Sequence, residues 1–222
     1  MKIAIDGPAG AGKSTIAKLI AQQLGFLYID TGAMYRALTW RALQEGVSLE
    51  NSDSIFQLAD STQIHFEQTS IGQNVLANGV NVTEAIRSPQ VSTCVSMLAS
   101  IPQVRSIMVK KQKQMASMGN VVMDGRDIGE DVLPDADFKF FVTASLEERA
   151  RRRIIEMQAK GYSIDEIHIR DDIEKRDKMD MEREVGALKI LPESIIIDTS
   201  HMNVSEVLSQ MLSIIGEDGH AL

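Results

Sequence analysis

The sequence contains little cysteine, no long apolar run and no excess of basic residues. Its 222 residues include one cysteine, Cys94, so no disulfide can form within the chain and no cysteine cluster can bind a metal. No run of about 18 or more apolar residues is present to span a membrane, and the N-terminal "MKIAIDG" lacks an apolar region of signal-peptide length. From these absences we expect a soluble, cytoplasmic protein.

Charge and histidine spacing exclude two further kinds of binding. The chain carries 23 Lys and Arg against 31 Asp and Glu, a net charge of -8, which gives no general attraction to nucleic acid or to an anionic membrane. Any anion must therefore be bound by a local cluster of cations. The histidines show no spacing typical of a zinc site, and we expect each of them on the surface: His65, His168, His201 and His220.

Five short apolar runs, separated by helical patterns, predict an α/β fold with a five-stranded parallel sheet flanked by helices. The runs are "KIAID", "FLYID", "NVVMD", "FKFFVT" and "SIIIDT". The segment between the first two runs has apolar residues at helical spacing and ends at Gly25, which indicates a βαβ unit. Four of the runs end in Asp or Asp-Thr, so polar groups are expected at the sheet edge where such folds bind ligands. We expect one domain over residues 1–222.

Two regions depart from this rhythm. Residues near 62 to 83 alternate apolar and polar and carry turn signals at Ile71-Gly72 and Asn78-Gly79, which predicts a small antiparallel insert. Residues from about 145 to 185 are strongly charged with helical periodicity. We expect them to form an exposed pair of helices.

The most specific motif in the chain is a phosphate loop. Residues 7–14, "GPAGAGKS", satisfy G-x-x-x-x-G-K-[ST], follow an apolar strand and open a helix. In that arrangement backbone N–H groups and the helix N-terminus surround a phosphate chain. Lys13 is then expected to contact the β- and γ-phosphates of a nucleoside triphosphate, and the Ser14 hydroxyl to bind Mg²⁺.

A phosphate loop alone serves GTPases, ATP-driven machines and small-molecule kinases. No Asn-Lys-x-Asp element that would select guanine is present, while arginines are abundant. Arginine suits phosphoryl transfer because its planar fork binds phosphate oxygens in pairs. Each arginine also has a purely structural explanation. Arg149 and Arg153 fit a solvated helix face, and Arg176 and Asp180 fit an ion pair four residues apart.

Four motifs in this order resemble those of the bacterial cytidylate (CMP) kinases: "GPAGAGKST", "DTGAMYR", "DGRDIG" and "RDKMDMER". The resemblance covers essentially the whole chain. It implies the P-loop nucleoside monophosphate kinase fold, with an antiparallel NMP-binding insert at about 60–85 and a helical lid at about 147–180. The implied reaction is phosphoryl transfer from ATP to CMP or dCMP with Mg²⁺, by a monomer.

The resemblance also gives roles to residues at matching positions. The implied ATP ligands are Gly7, Pro8, Ala9, Gly10, Ala11, Gly12, Lys13, Ser14 and Thr15. The implied CMP ligands are Thr31, Tyr35, Arg36, Ser96, Arg105, Arg126, Asp127, Arg176, Asp180 and Arg183. The implied catalytic cations are Lys13, Arg36, Arg126, Arg149, Arg153 and Arg183. Among these, the Asp127 carboxylate suits the exocyclic amine of cytosine, which donates where uracil accepts. Ser14, and Asp124 through water, are the implied metal ligands.

Two other functions remain as alternatives at this point. One is a P-loop kinase for a different small acceptor, such as UMP, AMP or shikimate. The other is a non-enzymatic nucleotide-dependent switch, which would hydrolyse ATP slowly and without dependence on an acceptor.

Overall fold

The structure is a computed structural model, described here for residues 1–49, 51–69, 72–159, 161 and 166–218. Some predictions fall partly or wholly on other residues, among them the antiparallel insert, which includes residues 70 and 71. The predicted turn at Ile71-Gly72 includes one such residue, the predicted lid includes five, at 160 and 162–165, and His220 is another.

All five apolar runs form strands, as predicted, and pairs of helices and three further strands lie between some of them. The strands are β1 (Lys2–Asp6), β2 (Leu27–Asp30), β3 (Ile64–Thr69), β4 (Gly72–Ala77), β5 (Val80–Asn81), β6 (Val121–Gly125), β7 (Phe138–Thr143) and β8 (Ile195–Asp198). The α-helices are α1 (Lys13–Leu24), α2 (Thr31–Gln44), α3 (Ser52–Ser61), α4 (Pro89–Ala99), α5 (Pro102–Ala116), α6 (Leu146–Ala159), α7 (Glu166–Met181) and α8 (Val204–Asp218). A 3-10 turn at Ala85–Arg87 and a π-helical turn at Ile128–Val132 complete the list.

The chain divides into two compact units, and the first comprises residues 1–28 and 119–222. Its centre is the predicted five-stranded sheet, in the order β2-β6-β1-β7-β8. Strand β1 lies between β6 and β7 and runs parallel to both, with Asp6 opposite Gly125 in the β6 register. Because the strands are parallel, Asp6 and Asp124 come to the same carboxyl edge of the sheet. The predicted fold class is confirmed.

Burial on both faces explains why these strands are continuous apolar runs. Strand β6 is buried along its whole length. Apolar residues of β1 and β7 pack with one face of α1 and of α8 in a single core that includes Ile5, Ile20, Phe140 and Met211. Helix α1 ends at Gly25, which has φ 67° and supplies the left-handed cap predicted from the sequence.

Helices α6 and α7 form the predicted charged pair within this unit. They pack through a small apolar cluster of Ala150, Ile169 and Ile173, with Leu146, Ile154 and Met157 at its margin. Most other side chains on these helices are charged. The pair is therefore held by few apolar contacts, and ion pairs take a larger part in fixing it.

The second unit comprises residues 29–118 and is larger than the predicted insert. Strands β3, β4 and β5 form the predicted antiparallel sheet. Asn78 and Gly79 have φ 48° and 80°, as a two-residue hairpin turn requires. Helices α2 to α5 belong to the same unit, and Lys111 of α5 donates to the carbonyls of Asp60 and Thr62 at the end of α3.

The described histidines lie at the surface of the protein. His65, His168 and His201 are exposed, as expected. Within the described part of the chain, none of the helices has the length and apolar character that a membrane span needs.

Candidate active site around the phosphate loop

The phosphate loop connects β1 to α1 and closes tightly on the sheet. Gly7 has φ 146°, and a Cβ atom there would lie 1.9 Å from the Val142 carbonyl oxygen, so only glycine fits. Gly12, with φ 90°, precedes Lys13, the first residue of α1. Lys13 is 6% exposed and its Nζ donates to the Pro8 carbonyl over 2.7 Å. The loop is thus folded around its own lysine, with Ala11 buried and Gly10 and Thr15 at the surface.

Lys13 lies in an electrostatically unfavourable place for a cation. The pKa of Lys13 is lowered to about 7, mainly by burial and also by the charge of Arg126, against the opposing effects of Asp124, Asp6 and Asp180. Two cations are therefore held close together with little solvent to screen them. A bound polyanion would remove this repulsion, which is the electrostatic property expected of a phosphate site.

Asp124 ends the buried strand β6 and faces the loop. Its Oδ2 accepts from the Ser14 hydroxyl and its Oδ1 from the Tyr28 hydroxyl, each over 2.7 Å. Among the described residues no group of three or more His, Cys, Asp or Glu could hold a metal by itself. A hydroxyl beside one carboxylate is nevertheless the oxygen donor set of a Mg²⁺ that keeps its waters and binds mainly through phosphates. The residues fit that ion.

A second charge cluster joins β6 to the end of α7. Asp180 is 1% exposed, and its Oδ2 accepts from Arg126 Nε over 2.7 Å while its Oδ1 accepts from Arg183 Nη2. Burial alone would raise the pKa of Asp180, but the charges of Arg126, Arg183 and Arg176 lower it. Asp180 is thus an ionised carboxylate shared among arginines. The expected pairing of Arg176 with Asp180 is present as charge proximity, while the hydrogen bonds come from Arg126 and Arg183.

Arg149 and Arg153, predicted together, have different surroundings. Arg149 is 6% exposed, which contradicts the interpretation of a solvated helix face. Its Nη1 contacts Asp177 Oδ2 over 2.6 Å and the phosphate-loop carbonyl of Ala9 over 3.2 Å, and its Nε donates to the Ala144 carbonyl. Arg153 forms an ion pair with Glu156 at the surface. Of these two predicted arginines, the structure brings Arg149 to the phosphate loop and pairs Arg153 with Glu156.

Arg152, which was not among the predicted site residues, also reaches the phosphate loop. Its Nη1 contacts the Thr199 hydroxyl over 2.9 Å and the Ala11 carbonyl over 3.4 Å, and its Nη2 donates to the Thr199 carbonyl. Thr199 follows strand β8 and its hydroxyl donates to Ala11 and Thr143 carbonyls. The Asp-Thr ending of the fifth apolar run was the available signal for Thr199. For Arg152, inside "RARRR", no local signal separates one arginine from the next.

Asp127 lies in the turn that follows β6 and is buried. The backbone N–H groups of the next two residues, Ile128 and Gly129, are bound by Asp6 at the end of β1. The sequence did not single out Asp6, although its position at a strand end before the phosphate loop was a signal. Asp6, Lys13, Asp124 and Asp127 thus surround the carboxyl ends of two adjacent strands.

In the second unit the structure brings one pair of predicted residues together, Arg105 and Tyr35. The Arg105 guanidinium lies 5.6 Å from the centre of the Tyr35 ring, and Arg105 is 2% exposed with Nη1 donating to the Ala99 carbonyl. Arg36 forms an ion pair with Asp30, whose other oxygen accepts from the Ala33 N–H and caps α2. Thr31 and Ser96 are buried on α2 and α4.

The parallel sheet, the phosphate loop folded around a buried lysine and the arginine clusters define a P-loop kinase. The family model for cytidylate kinase matches residues 3–217, nearly the whole chain. This chain belongs to the cytidylate kinase family.

Individual relatives agree with that assignment. A cytidylate kinase from Symbiobacterium thermophilum is 49% identical over 211 residues, covering 95% of this chain and 93% of that protein. One from Caldanaerobacter subterraneus subsp. tengcongensis is 51% identical over 211 residues, covering 95% and 92%.

Solved structures of more distant proteins support the fold. A gluconokinase from Sinorhizobium meliloti 1021 matches with a TM-score of 0.50 at 14% identity, covering 97% of this chain and 91% of that one. A shikimate kinase from Bacteroides thetaiotaomicron matches with a TM-score of 0.50 at 12% identity, covering 97% and 98%. At such low identity these matches concern the architecture alone.

Proposed function

We propose that this chain transfers the γ-phosphoryl group of ATP to CMP or dCMP, giving ADP and CDP or dCDP. The observation that carries the proposal is the phosphate loop folded around the buried Lys13, next to the hydrogen-bonded pair of Ser14 and Asp124, in a member of the cytidylate kinase family. A buried cation beside oxygen donors for Mg²⁺ suits a reaction in which two phosphates must approach each other.

On the donor side, the residues of the phosphate loop, 7–15, bind the ATP phosphates. Lys13 neutralises the charge that develops on the transferred group, and Arg149 contributes a second cation next to the loop. Arg149 is supported in this role by its contact with the Ala9 carbonyl. Arg153, which pairs with Glu156 at the surface, is proposed to turn toward ATP only when the helical lid at about 147–180 closes.

Mg²⁺ is proposed as the metal of this reaction, held by Ser14 and, through water, by Asp124. The hydrogen bond between these two side chains, 2.7 Å long, supports the choice because it places two hard oxygen donors together. When bound, the ion would supply charge to the β- and γ-phosphate oxygens. Ser14 and Asp124 would orient it.

On the acceptor side, the charge cluster around Asp180 is proposed to bind the nucleotide. Arg126 and Arg183 hold the CMP phosphate, while Arg176 and Asp180 hold the sugar. Asp127 accepts from the exocyclic amine of cytosine, whereas the uracil carbonyl at that position would present an acceptor to the same carboxylate. In the second unit Thr31, Tyr35, Arg36, Ser96 and Arg105 stay predicted CMP ligands.

The chemistry needs no covalent intermediate on the protein. An oxygen of the CMP phosphate attacks the γ-phosphorus of ATP directly once the two are aligned, so the residues act by positioning and by neutralising charge. Residues 1–222 would then form one kinase domain. A monomeric state and a cytoplasmic location also stay predictions.

The test is a coupled assay of ADP release with CMP, dCMP, UMP and AMP as acceptors. Turnover with CMP or dCMP that exceeds turnover with UMP and AMP by at least tenfold in kcat/KM is expected. Release of ADP at one slow rate, whatever the acceptor, would instead indicate a nucleotide-dependent switch. Preference for UMP or AMP would assign the other acceptor class.

A further inference from the structure

Asp6, the residue before the phosphate loop, is bound to a distant turn of the chain. It is 6% exposed, and its two carboxylate oxygens accept from the backbone N–H groups of Ile128 over 2.9 Å and Gly129 over 2.8 Å. These residues lie 122 and 123 positions along the chain. A carboxylate with both oxygens used in this way fixes the direction as well as the position of the backbone it binds.

The turn that Asp6 binds carries two proposed acceptor ligands. Arg126 and Asp127 lie immediately before Ile128, and Asp127 has φ -139° and ψ 25°, outside the regular helical and extended conformations. A π-helical turn, Ile128–Val132, follows, and the Asp131 N–H donates to the Asp127 carbonyl. The first N–H groups of a helical turn have no partner within it. Asp6, at the end of the neighbouring strand β1, supplies that partner.

Close packing on the other side of the turn leaves it little freedom. A Cβ atom on Gly129 would lie 3.2 Å from Lys139 Cδ and 3.3 Å from Leu191 Cδ1. Both distances are tighter than ordinary van der Waals contact. A side chain at position 129 would therefore have to displace Lys139 or Leu191, or shift the backbone that Asp6 binds.

We propose that Asp6 is a positioning residue for acceptor recognition, because it holds the turn from which Arg126 and Asp127 project. It touches neither substrate. The inference rests on the proposed function, since it concerns the residues assigned there to the CMP phosphate and base.

If Asp6 instead served to balance the charge of Lys13, removing it would affect ATP rather than CMP. Asp6 also lies close enough to Lys13 to raise its pKa, and a carboxylate serving only to balance that lysine would act on ATP. The two roles separate in kinetics, because a positioning role for the turn raises KM for CMP and a lysine-balancing role changes KM for ATP.

The experiment compares Asp6→Asn with wild type, measuring KM for CMP, KM for ATP and the ratio of kcat/KM for CMP over UMP. An amide offers one acceptor and one donor, so one backbone N–H loses its partner. We expect KM for CMP to rise five- to fiftyfold, the CMP-to-UMP ratio to fall at least fivefold, and KM for ATP to stay within twofold. Equal rises in both KM values, or no change in either, would overturn the inference.

The matched control is Asp137→Asn. Asp137 is exposed and accepts from the Lys2 N–H over 2.6 Å at the opposite end of the same strand β1. It shares the chemistry of a carboxylate on a backbone N–H but lies away from the turn. Its kinetic constants should match those of the wild type.

Gly129→Ala provides a second test if Asp6→Asn does not fold. The added Cβ lies 3.2 Å from Lys139 Cδ and 3.3 Å from Leu191 Cδ1, so either these side chains or the turn must shift, and every charge stays in place. The same rise in KM for CMP is expected, with KM for ATP unchanged, and unaltered CMP kinetics would count against the inference. Wild type that fails to use CMP at all would refute the proposed function itself, which makes the two failures distinguishable.

Discussion

At the scale of single residues, the site combines buried charges that ordinary folding would avoid. Lys13 is 6% exposed and has Arg126 as a close cationic neighbour, and Asp180 is shared between two arginines. Removing charge from water is costly unless each ion gains partners. Asp180 has such partners in Arg126 and Arg183. Lys13 donates to a carbonyl, and a phosphate chain would be the more favourable partner for its charge.

The variant Asp127→Asn tests whether the Asp127 carboxylate recognises cytosine. Because the amide presents a donor as well as an acceptor, the interaction with the exocyclic amine of cytosine weakens, by about 1–3 kcal/mol for a good polar pair. KM for CMP should rise roughly tenfold or more, and KM for ATP should remain close to its wild-type value. Both constants come from initial rates of ADP release. Matching losses for the two nucleotides would mean that Asp127 does not read the base.

Asp6 should give the stability of this protein a recognisable pH dependence. The pKa of Asp6 is raised from 3.8 to about 6. Burial is the main cause and the charge of Asp127 adds to it, while hydrogen bonds from Gly129 and Ile128 and the charge of Lys13 oppose it. The folded state therefore binds more protons than the unfolded state between these values. The contribution of protonated Asp6 to the free energy of unfolding is therefore fully present below pH 3.8 and is lost as the pH rises through about 6.

Urea unfolding of wild type and Asp6→Asn between pH 4 and 7 tests this effect. The difference in the free energy of unfolding, wild type minus variant, should fall with rising pH by on the order of 2–3 kcal/mol, since one pKa unit corresponds to about 1.4 kcal/mol. Carboxylates whose pKa is lowered, such as Asp180, contribute the opposite slope equally to both proteins and cancel. A difference that stays constant across this range would show that Asp6 has an ordinary pKa.

At the scale of secondary-structure elements, features set by local sequence patterns could be predicted from the sequence, and features set by long-range contacts could not. The five parallel strands, helix α1 with its Gly25 cap and the Asn78-Gly79 hairpin were all predictable, because apolar periodicity and turn chemistry act over a few residues. The pairing of Asp6 with the turn after β6 and of Arg152 with Thr199 was not. Those contacts join residues far apart in sequence, and no local spacing records them.

The predicted site divides along the same line. The phosphate loop has a self-contained motif and could be recognised from eight residues. Arg149 and Arg153 occupy equivalent places in the sequence pattern, and only packing distinguishes the first as buried from the second as paired at the surface. The difference arises because Arg149 faces the end of β7 and helix α7, whereas Arg153 faces solvent.

The pair of helices α6 and α7 should depend on the ion pair between Arg149 and Asp177. Both residues are under a tenth exposed, and Asp177→Asn leaves the Arg149 charge buried with a weaker partner. We expect the free energy of unfolding in urea to fall by about 1–3 kcal/mol, the usual cost of disturbing a buried charged hydrogen bond.

Glu156→Gln is the matched control, because Glu156 pairs with Arg153 on the exposed side of the same helix. An exposed pair of this spacing contributes about 0.2–0.5 kcal/mol. Similar losses in the two variants would show that burial does not distinguish the two ion pairs.

At the scale of the whole molecule, the net charge of -8 contrasts with a substrate that is itself strongly anionic. Long-range attraction cannot concentrate ATP at this protein, so affinity has to come from the phosphate loop and its cations at short range. A ligand that binds only the native state at that one place raises the free energy of unfolding of the whole cooperative fold, because it shifts the unfolding equilibrium.

ATP should therefore stabilise the chain through its phosphates. At a free concentration 100 times its Kd, the free energy of unfolding should rise by about 2.7 kcal/mol, measured by urea titration at fixed Mg²⁺. Adenosine at the same concentration lacks the phosphates and should give little stabilisation.

Lys13→Met should keep the fold, because the methionine removes a buried charge without changing the shape greatly. The variant should nevertheless lose most of the stabilisation by ATP and at least about a hundredfold in turnover. If adenosine stabilised the chain as strongly as ATP, or if Lys13→Met retained the full response, the phosphate loop would not be the source of the binding energy.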